Sequence, residues 1–295
     1  MKIFVTGGNG FLGKGMTAAL LDAGFEVRSQ VRGNRKPIFG EDRGVERFTT
    51  NEMLTGRFAQ GMQDCSTVFN LVGIIREFPG RGVTFKKAHP DFTRLLVDAC
   101  KLAGVKRYIH MSVLAVDSGL NIPYNTSKLE SEAMVRESGL DWTIVRPSLI
   151  FGPGDRFAVE FADWMRKGVP IPLIGQGDYR LTPVSRNDLC CGMVEIIKKE
   201  SAFGQIYDIG GPLQQTYLEI LRLIEKAAGR KARLIKVPAP LIIAAAKLLG
   251  RFPWFPATAD MIRQLISGSV TDDTEFWNIT GIDPQPLAKE LGDYV

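Results

Sequence analysis

Tyr124-Asn125-Thr126-Ser127-Lys128 puts a phenol and an ammonium four residues apart at the start of a helical stretch, so both fall on one face. A cation beside a phenol lowers its pKa from about 10 toward the range where it can exchange protons. That is what general acid–base catalysis asks of a side chain. Ser112, at the end of the apolar run 107–111, offers a hydroxyl that could hold a substrate oxygen. The three side chains together make a proton-transfer site of the kind that works beside a hydride carrier.

A cradle for such a carrier stands near the start of the chain, in Val5-Thr6-Gly7-Gly8-Asn9-Gly10-Phe11-Leu12-Gly13. These residues lie between an apolar strand, 3–6, and a helical run starting near Gly10. Gly7 permits the sharp strand-to-helix turn, Gly10 lets backbone N–H groups approach a pyrophosphate, and Gly13 lets the helix pack close to the strand. The end of the second strand bears on cofactor choice. An NAD-specific site would offer a carboxylate there for the ribose hydroxyls, whereas this chain has Val31-Arg32, with Arg35 and Lys36 close behind. Arg32 could face a 2′-phosphate and lie against adenine, which favours NADP(H) over NAD(H).

The elements that must position these groups alternate in type. Strands are expected at 3–6, 26–31, 45–48, 67–72, 107–111 and 143–146, with helices at 10–23, 53–63, 87–103 and 125–138. That rhythm predicts an α/β fold, a Rossmann doubly wound parallel sheet covered by helices on both faces. Ligands of such sheets bind beyond the carboxyl ends of the strands. After Arg146 the chain turns irregular, with helices expected near 157–167, 187–198, 217–228 and 258–267. The expected division is a dinucleotide-binding domain over 1–155 and a smaller α/β lobe for substrate or partner over 156–295, interleaving with the first.

The chain has 295 residues, 37 of them basic and 32 acidic, and its charge of +5 is read as spread rather than gathered in an arm or tail. Without aromatic interleaving or an extended basic face, nucleic-acid binding is not expected. Four cysteines without a CxxC pair, and only two histidines, argue for reduced thiols and against a metal site. A first strand beginning at Lys2 leaves no room for a targeting segment, so the expected location is the cytoplasm. The apolar run 237–249, followed by Phe252, Trp254 and Phe255, is too short and interrupted to span a bilayer. It is read as a buried helix, with a membrane-surface or protein-partner role for 237–256 as the alternative.

Taken together, the glycine turn, Asp64 ahead of Val68-Phe69-Asn70-Leu71-Val72-Gly73, Ser112, Tyr124 with Lys128, and Arg146-Pro147-Ser148-Leu149-Ile150-Phe151-Gly152-Pro153 resemble the extended or atypical short-chain dehydrogenase/reductases, the NAD-dependent epimerase/dehydratase family. The resemblance implies that Gly7, Gly10, Phe11, Leu12 and Gly13 hold the dinucleotide and that Asp64 contacts the adenine region. By the same resemblance Leu71 and Gly73 line the adenosine and ribose path, while Pro147 and Ile150 border the nicotinamide. Tyr124 becomes the acid/base, and Lys128 binds the nicotinamide ribose and tunes Tyr124.

One departure stands out. Sugar-modifying members carry asparagine at the opening of the fourth helix, where this chain has His89. That segment, with 146–157 and 256–260, looks more like the nucleotide-binding accessory subunit of respiratory complex I and its bacterial relatives. Two functions are therefore expected as alternatives. One is an NADP(H)-dependent oxidoreductase or epimerase/dehydratase acting on an unidentified carbonyl or hydroxyl substrate. The other is a non-catalytic NADP(H)-binding assembly or accessory protein that docks on a protein partner or a membrane.

Overall fold

The computed structural model describes residues 1–31, 44–50, 53–250, 252 and 254–295. The chain folds as two compact units. The first comprises residues 1–146, 187–208 and 274–282, and the second 147–186, 209–273 and 283–295.

In the first unit, β1 (Lys2–Thr6), β2 (Glu26–Val31), β3 (Val45–Thr49), β4 (Cys65–Asn70), β5 (Arg107–Met111) and β6 (Asp141–Pro147) form one sheet with a seventh strand, Gln205–Ile209. The order is Gln205–Ile209, β6, β5, β4, β1, β2, β3, and neighbours from β6 through β3 pair in parallel. Chain direction across the sheet reverses between β1 and β4, the crevice where doubly wound sheets take their ligands. Helices α1 (Phe11–Asp22), α2 (Thr55–Gly61), α3 (Phe85–Ala88), α4 (Pro90–Ala103) and α5 (Pro123–Arg136) connect these strands. Strands buried on both faces read as continuous apolar runs, as Ile3-Phe4-Val5 does. Phe4, Phe48, Phe58 and Phe92 interlock edge-on beneath α2 and α4, each worth about 1.5–3 kcal/mol of burial.

Two boundaries differ from expectation for identifiable reasons. β4 ends at Asn70 rather than 72, because the Leu71 N–H turns to the Thr6 hydroxyl (3.2 Å) and leaves the ladder. The helix expected over 87–103 is broken at His89, since the residue before a proline avoids helical geometry and Pro90 starts a new helix.

The second unit holds three two-stranded pairs: Ile150–Phe151 with Val184–Ser185, Arg180–Leu181 with Gln215–Thr216, and Ile171–Ile174 with Leu234–Val237. Helices α6 (Arg156–Arg166) and α8 (Tyr217–Ala228) pack around Phe151, Met165, Leu173 and Ile220. Between them in sequence runs α7 (Arg186–Glu195), most of which belongs to the first unit. Two further helices, α9 (Ala239–Leu249) and α10 (Ala259–Ile266), close a smaller cluster. The expectation of a buried helix over the apolar run fails here: Ala246 is the sole buried residue of α9.

Candidate functional site

At the carboxyl end of β1, Gly7 adopts φ +69°, and its carbonyl accepts a hydrogen bond from Gly10 N–H at 2.8 Å. A Cβ on Gly13 would lie 2.2 Å from the Gly7 oxygen and 2.6 Å from Gly8 Cα, so only glycine lets α1 approach the turn. Gly10 caps α1 without a side-chain hydrogen bond, so the first-turn N–H groups keep no capping side chain. Phe11 and Leu12 open that turn, both half-buried. Beside it, Leu71 backbone atoms stand 3.3 Å from where a Gly7 Cβ would be.

Lys128 is 4% exposed, and its ammonium donates to the Met111 carbonyl at 2.9 Å. Ser112 follows directly. Its N–H is held by the Val145 carbonyl (2.8 Å), while its buried Oγ has no hydrogen-bond partner among the described residues. Gly73, beyond β4, faces the same ammonium, which lies 3.4 Å from a Cβ placed there. The structure thus brings Lys128, Ser112 and Gly73 together where β4 and β5 end. Tyr124, one turn before Lys128 on α5, sets its half-buried ring edge-on to Phe85 (5.6 Å) and His89 (5.7 Å).

His89 is the residue whose role spacing alone did not disclose. Its Nε2 accepts from Ile74 N–H at 3.2 Å, which places the ring proton on Nδ1. Nδ1–H then donates to Ser127 Oγ (2.7 Å), and Ser127 donates to the Tyr124 carbonyl (2.8 Å). This relay ties the loop after β4 to the first turn of α5, with Phe85 stacked on the imidazole at 5.6 Å. The available signal was His-Pro: Pro90 forces the break that turns residue 89 inward.

A second clamp holds α5 from below. Arg146 forks onto the fully buried Glu132 of α5 at 2.9 and 2.6 Å and reaches Asp117 at 3.0 Å. Such bidentate pairs fix orientation as well as adding energy.

Burial sets the protonation states. It pushes the Tyr124 phenol up to about 12, the reverse of the lowering by Lys128 that the spacing suggested. Lys128 is pushed down to about 8 by the same cause, offset in part by Glu132. Burial, with Lys128 repulsion second, lowers His89 to about 3, so the imidazole is neutral at ordinary pH.

Asp64 is not brought to this cluster. It sits at φ +64°, exposed, one residue before β4, and Lys2 pairs with Cys65. In a parallel sheet that is the amino end, about 17–20 Å of strand from the glycine turn. The residue is a turn former there, which corrects the expected adenine contact. Pro147 closes β6, and Ile150 lies in the second unit's first strand pair. Arg32 lies outside the described residues.

A dinucleotide fits the first unit on three counts: the close approach of α1 to the glycine turn that only Gly13 allows, the start of α1 without a capping side chain, and the Ser112 Oγ, without a partner among the described residues, beside a buried cation. Among the described residues no group of His, Cys, Asp and Glu could hold a metal ion.

This is the Rossmann fold of the short-chain dehydrogenase-type epimerases and dehydratases. The UDP-glucose 4-epimerase of Thermotoga maritima, solved with UDP-glucose, superimposes with a TM-score of 0.79 at 19% identity, over 100% of this chain and 97% of the epimerase. The chain itself belongs to the NAD(P)H-binding family, whose model matches residues 7–163. Its relatives include mouse NADH dehydrogenase [ubiquinone] 1 alpha subcomplex subunit 9, mitochondrial, 30% identical over 77% of this chain and 60% of the mouse protein. Another is the photosystem II assembly factor Ycf39 of Guillardia theta, 24% identical over 86% and 79%. The match spans about 60% of the length of the mouse and rat relatives.

Proposed function

We propose that the first unit binds NADP(H) and that the chain is an oxidoreductase or epimerase/dehydratase acting on a carbonyl or hydroxyl carbon. The observation that carries this reading is the buried Lys128 ammonium, fixed on Met111 O beside the unpartnered Ser112 hydroxyl. A nicotinamide, when bound, supplies or accepts the hydride. Ser112 holds the substrate oxygen, and Tyr124 delivers a proton to it or takes one from it. Lys128 carries the ribose contact and offsets the negative charge that Tyr124 gains when it gives up its proton. A phenol kept protonated by burial suits the donor direction, reduction of a carbonyl. The preference for NADP(H) rests on Arg32. The second unit is the substrate or partner lobe, and the setting is the cytoplasm or a membrane surface.

A second reading has its own support. Two relatives carry the names of a respiratory-complex subunit and of an assembly factor. On that reading the dinucleotide is a structural ligand, and 237–256 meets a protein or membrane partner.

Calorimetric titration of NADPH and NADH, followed by NADPH oxidation against a panel of carbonyl compounds, separates the two. The enzyme reading expects tight NADPH binding and turnover that Tyr124→Phe lowers about 10²–10⁴-fold while binding is kept. Tight binding without turnover by the wild-type chain selects the accessory reading.

A further inference from the structure

The charge of this chain is not evenly spread. Between Glu225 and Asp260 it carries seven lysines and arginines and no aspartate or glutamate, so this stretch alone exceeds the net +5 of the whole. Arg230, Lys231, Arg233, Lys236 and Lys247 are all exposed, and none makes an ion pair among the described residues.

The same stretch exposes its apolar side chains. Ile242, Ile243 and Ala246 of α9 pack on the cluster built with Ala259 and Ile262. Leu241, Ala244 and Leu248, spaced i, i+3 and i+7 on the other face, lie bare, with Leu241 63% and Leu248 65% exposed. Just beyond, Phe252 and Trp254 stack on each other at 6.0 Å, and Trp254 is 69% exposed. Among the described residues no helix is long and apolar enough to cross a membrane.

We propose that α9 and the Phe252–Trp254 pair dock the protein onto an anionic lipid bilayer. The chemistry matches the layers of that surface. A bare leucine face enters the acyl boundary, stacked aromatic rings sit at headgroup level, and lysines and arginines meet lipid phosphates. The absence of carboxylates over 226–259 removes the repulsion that would oppose it. The inference is independent of whether Tyr124 turns over a substrate.

The test is flotation of the full chain with vesicles of phosphatidylcholine alone and of phosphatidylcholine mixed with phosphatidylglycerol. The protein is expected to float with the anionic vesicles and to be released by high salt. Leu248→Ser with Trp254→Ser is expected to weaken flotation at least tenfold. Lys231→Glu with Lys236→Glu is expected to weaken it by more than about 25-fold, since each cation beside an anionic surface is worth about fivefold. Both variants should keep the wild-type melting temperature, which separates lost docking from lost folding. No flotation, flotation that ignores both variants, or a concentration-dependent dimer that the Leu248/Trp254 variant abolishes would overturn the proposal, the last assigning the face to a second copy.

Discussion

Helices α5 and α9 are built on opposite plans. Each opens with a proline in its first turn, where a missing N–H costs nothing. From there α5 buries polar and charged groups, Asn125, Ser127, Lys128, Ser131 and Glu132, and holds most of them by named partners. α9 rests Ile242, Ile243 and Ala246 on its small cluster but keeps Leu241, Ala244 and Leu248 outside, with Ala246 its one fully buried residue. Polar groups under cover and apolar groups in the open both cost stability, so each marks a place where folding alone does not account for the residue. In α5 the cost holds a buried cation and a phenol in fixed relation. In α9 it leaves a face that a further surface could cover.

The contrast can be broken most severely at Glu132. Glu132→Ala takes the bidentate carboxylate from the buried Arg146 and leaves it only Asp117 and Asp208, both more exposed, and a loss of about 3 kcal/mol is expected in chemical denaturation, with NADPH affinity falling as α5 loosens. An unchanged midpoint would mean the clamp is decorative.

His89 offers a milder and pH-specific test. Its folded pKa of about 3 lies below its ordinary 6.5, so between those values the unfolded chain binds more protons and stability falls as pH drops. His89→Asn is expected to flatten that acid limb, though not wholly, because the fully buried His110 is lowered in the same sense. Melting temperatures of both proteins from pH 7 to pH 4, read side by side, decide it; equal slopes would remove His89 from the account.

The smallest effect belongs to α9. Leu248→Ser is expected to shift unfolding by no more than about 0.5 kcal/mol, because the side chain it removes is already in water. A larger loss would show that the face is covered by the protein itself.

Much of the first unit was legible because strand, turn and helix signals follow one another in β1, α1 and β2 and agree. Glycine spacing located the turn, and YxxxK located one face of α5. Long-range pairing was not legible. The strand Gln205–Ile209 is short and lies nearly 60 residues beyond β6, so nothing local marks it as the sheet's edge. Asp64 misled because the family resemblance was followed against strand direction: a residue just before a strand of a parallel sheet lies at the amino end, away from the ligand crevice, as the Lys2–Cys65 pairing shows. Tyr124 misled differently. Spacing shows a cation one turn away, but the burial that raises the phenol is a property of the folded chain. For α9, composition predicted cover that the packing does not provide.

Arg107 has a consequence for how the molecule is made. Its guanidinium donates to the carbonyls of Ile196 and Ile197 and of Asp141, stitching the returning segment 187–208 to β5 and β6. Until that segment emerges during synthesis, β6 is an open sheet edge and Arg107 lacks two of its three acceptors, keeping only the Asp141 carbonyl. A fragment ending near residue 155 would keep that edge indefinitely, an unpaired strand inviting association with its own copies. The fragment 1–155 is therefore expected to self-associate where the full chain does not, which size-exclusion chromatography of the two would check.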